Sequence, residues 1–469
     1  MKKQKLTIAI AGASGFIGQR LIEHLLKNTD HDLVGFSRFS RKSDNPRLEW
    51  RECDLFSLLE IERALKDVDV AFYLVHSMLP SANLDQGSFA DYDLLLADNF
   101  ARSANSNQVK QVIYLGGLLP SNLEELSKHL ESRLEVEQVF REKKFALTTF
   151  RAGLIIGPNG SSFKIMYKLV KRLPVMICPQ WVNNPMTPIG VDDVTKCLAT
   201  VVDDDRYFNK TFDLSGGGQY TYLDLMRIIG EKLKLKRYYL KVPVHFVGFS
   251  KLWVRLITQE NKELVYPLLD SIRHPMICNP ERKFKLENYR FKNFEECLEE
   301  ALAASDVNDR KPFVKKNHRF VRSVQRLPVP AFMNARDAAL EYMQWLPKVF
   351  SPLIKVQVED DVVDFSLFHH QVVLLKLKYS KERSTMNRAL FYIVGGNLVR
   401  FNEKSRLEFR ETMPVKNKRY IITAIHDFEP ALPWLIYVIT QALVHLEVMR
   451  AFGRHLERKS QNAQNITKI

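Results

Sequence analysis

Apolar positions along the first roughly 240 residues follow two alternating rhythms. Short β-branched runs, LTIAIAG, LVGFSR, VAFYLVHS, QVIYLGG and ALTTFRAGLIIG, are mostly apolar, as strands buried on both faces are. Between them lie FIGQRLIEHLLKN, LLEIERALKDV and DYDLLLADNFARSAN, whose apolar positions recur every three or four residues, the helical period. Strands alternating with helices predict an α/β fold with a doubly wound parallel sheet. From about Tyr239 the rhythm changes. VPVHFVGFSKLWVRLITQ and KELVYPLLDSI read as helices of a small cap over the carboxyl edge of the sheet. ASDVNDRKPFVKKNHRF is polar and aperiodic, which places a linker near 304–318. Beyond it, VRSVQRLPVP, PLIKVQVED, VVDFSLF, QVVLLKLKYS, ALFYIVGG, SRLEFRETM and RYIITAIHDF read as successive strands. A long helix follows from about Leu432 to Lys459. The last part is therefore an α+β antiparallel-sheet domain with a long C-terminal helix. The expected boundaries are 1–245, 246–310 for cap and linker, and 311–469.

The 469 residues, 46% hydrophobic and 26% charged, have the composition of a globular protein large enough to bury its cores without disulfides or metals. Cys53, Cys178, Cys197, Cys278 and Cys297 are odd in number and form no CxxC pair, so a reducing, cytoplasmic setting is expected. The apolar N-terminal run is broken by glycines and lacks a small-residue cleavage site, which argues against a signal peptide. Charge is unevenly placed. Residues 311–469 hold 26 Lys and Arg against 14 Asp and Glu, a net of +12 out of +15 for the chain. That excess is either a solubilising surface or an attraction for an anionic partner, with peripheral contact at the inner membrane surface as one option. No nucleic-acid partner is expected.

IAIAGASGFIGQRL carries the most specific local signal. Gly12, Gly15 and Gly18 lie between a strand and a helix, with Ser14, Phe16 and Ile17 among them. Gly12 permits the tight turn, Gly15 the approach of a pyrophosphate, and Gly18 close packing of helix on strand. The helix N-terminus offers unpaired N–H groups to phosphate. At the end of the second strand, where an acidic residue would hold a ribose hydroxyl, stand Ser37, Arg38 and Arg41. Guanidinium suits a 2′-phosphate, so NADP is expected, with NAD the alternative.

These residues together resemble the short-chain dehydrogenase/reductases, in their extended and atypical branches. The resemblance covers roughly residues 6–245. CDL at 53–55 resembles the family's Asp-Leu element and implies adenine contact by Asp54 and Leu55. YLVHS resembles the strand beside the cofactor and implies that Val75 and His76 border it. FRAGLIIGPNG, PMTPIGVDDV and FDLSGGGQYTYLDLM match further family segments. YLVHSM, IYLGGL, SKHLESRLEVE and KRLPVMICPQWV are similar to an NmrA-like subgroup, several of whose members carry an extra C-terminal domain. The resemblance implies an oxidoreductase or epimerase-like activity on a small molecule.

The family uses a strand serine, and a tyrosine and lysine one helical turn apart on the next helix. Here Gly116 or Gly117 occupies the serine region, His129 the tyrosine position and Arg133 the lysine position. Glu137 matches a glutamate often found four residues further on. Imidazole exchanges protons near neutral pH, whereas a guanidinium one turn away opposes a second positive charge on it. Three readings stay open: His129 as acid and base, a ligand-binding but non-catalytic pair, or an ordinary helix surface. A sensor or scaffold that reads NADP(H) without turnover is the corresponding alternative function.

SRLEFRE, RYIITAIHDF and PALPWLIYVITQALVHLEVMRAFGRHLERK resemble a START-like helix-grip (SRPBCC) domain. That implies an apolar cavity between sheet and final helix, with Phe391 and Tyr392 as lining candidates, and a hydrophobic ligand. The mostly apolar run Ala431–Val444 is 14 residues long, short of the roughly 20 a membrane span needs. His369 and His370 are adjacent on a strand and point to opposite faces, so no metal site is expected there.

Overall fold

Each buried apolar run pairs with others of its kind, as residues with no polar face must. The computed structural model describes residues 4–76, 84–242, 247–304, 320–367, 372–414 and 418–466. The chain divides into two units, one of residues 1–79 and 96–312, the other of 80–95 and 313–469. The expected linker near 304–318 lies almost entirely outside the described residues, as do His369 and His370.

The first unit holds a seven-stranded parallel sheet. Its strands are β1 (Thr7–Ala11), β2 (Asp32–Ser37), β3 (Leu48–Glu52), β4 (Val70–Tyr73), β5 (Gln111–Gly117), β6 (Ala146–Ala152) and β7 (Lys210–Leu214). Their order is β7-β6-β5-β4-β1-β2-β3, so the chain reverses direction across the sheet between β1 and β4. In open α/β sheets ligands bind at the carboxyl ends beside such a reversal. Ile8, Ile10, Val70, Phe72, Ile113 and Phe150 fill the core. The third strand, LEWRE, escapes the apolar-run criterion. It is an edge strand with charged Glu49, Arg51 and Glu52, and it packs through Trp50, whose ring would lie 2.8 Å from a Cβ on Gly35.

Helix α1 (Phe16–Asn28) follows β1 and buries Gly18, Leu21, Ile22 and Leu25. Helix α2 (Lys128–Arg141) follows β5, and α3 (Ser161–Arg172) follows β6. Helices α4 (Val247–Thr258) and α5 (Lys262–Ser271) pack against α3 through Val254, Val265 and Leu269 on Ile165 and Leu169.

The second unit is an antiparallel sheet of β8 (Val321–Pro328), β9 (Ile354–Glu359), β10 (Val362–Leu367), β11 (Val372–Tyr379), β12 (Arg388–Gly395), β13 (Arg406–Glu411) and β14 (Tyr420–Phe428). The order is β9-β10-β11-β12-β13-β14-β8, and Leu84–Gln86 adds an eighth strand parallel to β8. Two features differ from the expected run of strands closed by one helix. Helix α6 (Ala335–Val349) intervenes between β8 and β9, started by a capping box of Asn334 and Asp337. Its ARDAALEYMQWLPKV pattern is masked by flanking prolines and by Pro347 within it. The final helix is two: α7 (Trp434–Ile439) and α8 (Gln441–Ile466). They part at Thr440, whose hydroxyl donates to the Ile436 carbonyl at 2.5 Å, a back-bond that bends helices. By length and composition alone Trp434–Asn462 could cross a membrane. Tyr437, Met449, Phe452 and Leu456 are nevertheless buried in this unit's core.

One buried and one half-buried histidine of this unit predict an acid transition. His445, whose Nε2 lies 3.1 Å from Ser323 Oγ, is pushed down to about 4 by burial. His426 is also lowered to about 4, by burial and then by the Arg406 charge, against the pull of Glu408. A histidine in an unfolded chain titrates near 6.5. The unfolded chain therefore binds protons that the folded unit excludes. This contribution to stability is complete above about pH 6.5 and is lost as the pH falls toward 4, by about 3 kcal/mol per histidine. Urea unfolding followed from pH 7 to pH 4 is expected to show the loss, with a smaller slope in His445→Gln.

Candidate active site

The turn after β1 is built around atoms that leave no room for side chains. Gly12 has φ +91°, and a Cβ on it would stand 2.9 Å from the Leu74 carbonyl oxygen. A Cβ on Gly18 would lie 2.2 Å from the Gly12 oxygen, so α1 meets the turn backbone to backbone. Gly15 caps α1 with no side-chain hydrogen bond, and its N–H donates to the Gly12 oxygen at 2.9 Å. Phe16 is wedged against Gly157, where a Cβ would meet its ring at 2.5 Å. The result is a bare helix N-terminus at the reversal point of the sheet, which fits a dinucleotide pyrophosphate. The same elements carry Ser14 and Ile17.

At the end of β2, Ser37 is buried and Arg38 is exposed. The Arg41 guanidinium lies 5.1 Å from the Trp50 ring centroid. Asp54 accepts the Phe56 N–H at 3.1 Å, and the Leu55 carbonyl accepts Asn99 Nδ2 at 2.9 Å, so this Asp-Leu element is held as an ordered loop.

Helix α2 begins where Ser127 can cap it, its Oγ accepting the Leu130 N–H at 3.3 Å. That places His129 in the first turn and Arg133 one turn on. Arg133 is buried and donates through Nη1 to the Val75 carbonyl at 3.3 Å, at the end of β4. His129 Nε2 lies 3.0 Å from His76 Nε2, and its Nδ1 lies 3.0 Å from Ser271 Oγ. Ser271 Oγ also lies 3.0 Å from Ser127 Oγ and donates to the Pro267 carbonyl at 3.0 Å. The structure thus brings His76 and His129 into one cluster, and adds Ser127 and Ser271, which sequence reasoning missed. Ser271 comes from α5, far along the chain from His129, and no local pattern marks it. Tyr114 is buried and donates to the Arg133 carbonyl at 3.1 Å, a packing role. Glu137 pairs with Arg151 and Arg141 and clamps α2 to the sheet.

Beside this cluster lies a cavity of about 160 Å³. Gly117, Ala152 and Leu154 at the carboxyl ends of β5 and β6 form its floor, and α3, α4 and α5 its walls. His129 and Ser271 both line it, and among the described residues no Lys, Arg, Asp or Glu does. Trp181 also lines it, with an indole Nε1 that is buried and has no hydrogen-bond partner among the described residues. Those residues include no group of three or more His, Cys, Asp or Glu placed to hold a metal.

Comparison with known proteins agrees with this architecture. The sequence profile of the NAD dependent epimerase/dehydratase family matches residues 8–120. The auxiliary protein GraX of Staphylococcus aureus is 36% identical over 115 residues, 24% of this chain and 37% of that protein, so little more than a third of that relative is matched. The mitochondrial NADH-ubiquinone oxidoreductase 40 kDa subunit of Neurospora crassa is 22% identical over 328 residues, 67% of this chain and 84% of that protein. Among solved structures, a nucleoside-diphosphate-sugar epimerase of Staphylococcus aureus aligns with a TM-score of 0.50 at 15% identity, over 62% of this chain and 98% of its own. The triphenylmethane reductase of Citrobacter sp., solved complexed with NADP(H), aligns with a TM-score of 0.50 at 17% identity, over 63% and 99%. The first unit has the Rossmann fold of NAD-dependent epimerases and reductases, and a nicotinamide dinucleotide is the cofactor its turn fits.

Proposed function

We propose that the first unit is an NADPH-preferring reductase of an uncharged, apolar carbonyl compound, related to the NmrA-like branch and working in the cytoplasm. The observation that carries this reading is the cavity beside His129, about 160 Å³ in volume and, among the described residues, without a charged lining side chain. It is of the order of the ~150 Å³ cavity that takes up benzene. A nucleoside-diphosphate sugar brings two phosphate charges, which call for guanidinium or ammonium partners. The lining provides none, so sugar-nucleotide epimerisation is the less favoured activity. The name of the Neurospora relative, an NADH-ubiquinone oxidoreductase subunit, accords with an apolar acceptor.

The bound dinucleotide supplies the hydride. Gly12, Ser14, Gly15, Phe16, Ile17 and Gly18 hold its pyrophosphate, Asp54 and Leu55 border the adenine, and Val75 and Arg133 border the nicotinamide ribose. Arg38 and Arg41 meet the 2′-phosphate. Arg38→Asp is expected to weaken NADPH binding by about 10- to 100-fold, the value of one charge-assisted contact, and to spare NADH. Titration of the two reduced dinucleotides checks this; equal loss for both would reject the 2′-phosphate contact. The reaction is tested by NADPH consumption with uncharged aromatic aldehydes and quinones against a UDP-sugar panel. Turnover of the apolar carbonyls supports the reading. Epimerisation of a UDP-sugar overturns it, and dinucleotide binding without any turnover makes the unit a sensor or scaffold.

One observation favours a second reading, for the other unit. A cavity of about 200 Å³ lies between its sheet and α8, again without a charged lining residue among those described. Gln86 Nε2 donates to the Ala442 carbonyl, and among the described residues the buried Gln86 Oε1 and Gln441 Oε1 have no hydrogen-bond partner. Phe391 and Tyr392 are not among its lining residues: Phe391 packs on Tyr379, and the Tyr392 hydroxyl accepts from Arg383. We infer a helix-grip-like site for a neutral hydrophobic ligand bearing a hydrogen-bond donor. Leu435, Ile436, Ile439, Leu443 and Val444 of α7 and α8 are exposed, Val444 also lines the cavity, and together they offer a surface for peripheral membrane contact. Solvent extraction with mass spectrometry, and sedimentation with anionic vesicles, test the two parts.

A further inference from the structure

Hydrogen-bond directions at the polar end of the first unit's cavity follow from which atoms can donate. A carbonyl oxygen only accepts, so the Ser271 hydroxyl hydrogen lies toward Pro267, at 3.0 Å. With its one hydrogen so placed, Ser271 Oγ is an acceptor toward Ser127 Oγ and toward His129 Nδ1, each at 3.0 Å. His129 therefore carries its hydrogen on Nδ1, and in the neutral ring Nε2 is a bare lone pair. That lone pair faces His76 Nε2 at 3.0 Å, so the hydrogen between the two rings belongs to His76. The rings lie 5.2 Å apart, centroid to centroid. Every bond points the same way, from His76 to His129 to Ser271. His76 is exposed, Ser271 is buried, and Ser271 and His129 both line the cavity.

We propose that Ser271 is the group that protonates the substrate oxygen, and that His76 and His129 form a relay that refills it from solvent. The proposal rests on the reductase reading above and deepens it. A substrate carbonyl replaces the Pro267 oxygen as acceptor of the Ser271 hydroxyl. When hydride adds to the carbonyl carbon, the π pair of the C=O bond moves to oxygen, and that oxygen takes the Ser271 proton. Ser271 Oγ takes the proton of His129 Nδ1, and His129 Nε2 takes the proton of His76 Nε2. Solvent supplies a proton to His76 at Nδ1, so each ring stays neutral and one proton enters for each one delivered. Both rings end as their other tautomers, and exchange of their N–H protons with water returns them to the starting state before the next turnover. The strand hydroxyl that the resemblance makes one expect near Gly117 is thus supplied from α5. The His129 side chain acts both on the substrate pocket and through Ser271. His76 is a positioning and relay residue.

The test has a spectroscopic arm and a kinetic arm. Nitrogen-15 NMR of histidine-labelled protein without substrate is expected to show His129 protonated at Nδ1 and bare at Nε2, and His76 protonated at Nε2. In Ser271→Ala the His129 ring is expected to become a mixture of tautomers. With an apolar carbonyl and NADPH, Ser271→Ala is expected to lower kcat by about 100-fold or more, the usual scale of general acid catalysis. KM and the thermal stabilisation by NADPH stay unchanged, and Ser271→Thr, which keeps the hydroxyl, restores most of the rate. His76→Gln still donates to His129 Nε2 but cannot relay, so kcat falls and added imidazole recovers it. A hydrogen on His129 Nε2 in the wild-type protein overturns the relay. So does wild-type kcat in a folded Ser271→Ala. Absence of turnover with every carbonyl rejects the reductase reading and the relay together, whereas turnover insensitive to Ser271 rejects the relay alone.

Discussion

Gly18→Ala is expected to cut the thermal stabilisation that NADPH confers on the wild-type protein by about half or more. The added methyl would stand 2.2 Å from the Gly12 oxygen and 2.8 Å from the Ala13 Cα. Both are backbone atoms, so no side chain can turn away, and α1 must back off from the turn. Overpacking of this kind costs about 1–3 kcal/mol in stability. It also withdraws the helix N-terminus from the phosphates, and a comparable loss in binding is about 10- to 100-fold in Kd. At 100 times its Kd a ligand stabilises by about 2.7 kcal/mol, about 5–10 °C for a unit of this size. Gly15→Ala separates the two effects. Its Cβ would meet only the Gly12 oxygen, at 3.1 Å, so folding is spared more than binding. Melting curves of protein stripped of retained nucleotide, with NAD+, NADH, NADP+ and NADPH, decide the matter. An undiminished NADPH shift in Gly18→Ala would place the phosphates elsewhere.

Glu137→Ala is expected to lower the melting temperature of the first unit by about 10 °C. Its carboxylate, almost wholly buried, receives Arg151 Nε and Nη2 at 3.0 Å each and Arg141 Nη2 at 2.6 Å. It also accepts the Thr211 hydroxyl at 3.4 Å, so one side chain ties α2 to β6 and β7. Removing one member of a buried, hydrogen-bonded ion pair costs about 3–5 kcal/mol, because the other charge stays behind in poor solvent. The Arg151 side chain is only 12% exposed and cannot regain water without moving β6. Since α2 carries His129 and Arg133, the change also loosens the candidate site. Glu137→Gln keeps an acceptor and is expected to lose about half as much. Urea unfolding of the three proteins measures it, and a loss below about 1 kcal/mol would show that Arg141 and Arg151 find water instead.

Glu137 also shows how far sequence reasoning reached. Its place four residues after Arg133 served as a mark of family resemblance, yet its ion pair with Arg151 of β6 was invisible. The same division runs through the molecule. The glycine turn was legible because its constraint is local: a left-handed backbone at Gly12 and contact between residues six apart. The parallel strands were legible because burial on both faces leaves an unbroken apolar run. Edge strand β3 was not, since a strand with one wet face and charged neighbours reads like a loop. Helix α6 was hidden by the prolines around it. The split at Thr440 depended on a hydroxyl turning back on its own helix.

By itself, then, the sequence determined the α/β class of the first unit and its glycine turn. These are set by periods of two and 3.6 residues and by backbone sterics over a single turn. The tertiary structure alone decided that His76, His129, Ser127 and Ser271 form one hydrogen-bonded group, that the space beside them is apolar and uncharged, and that Leu84–Gln86 leaves its sequence neighbours to join the second sheet. Those outcomes depend on contacts between residues tens to hundreds of positions apart, where a hydroxyl or an imidazole acquires its role only from what the fold brings within 3 Å of it.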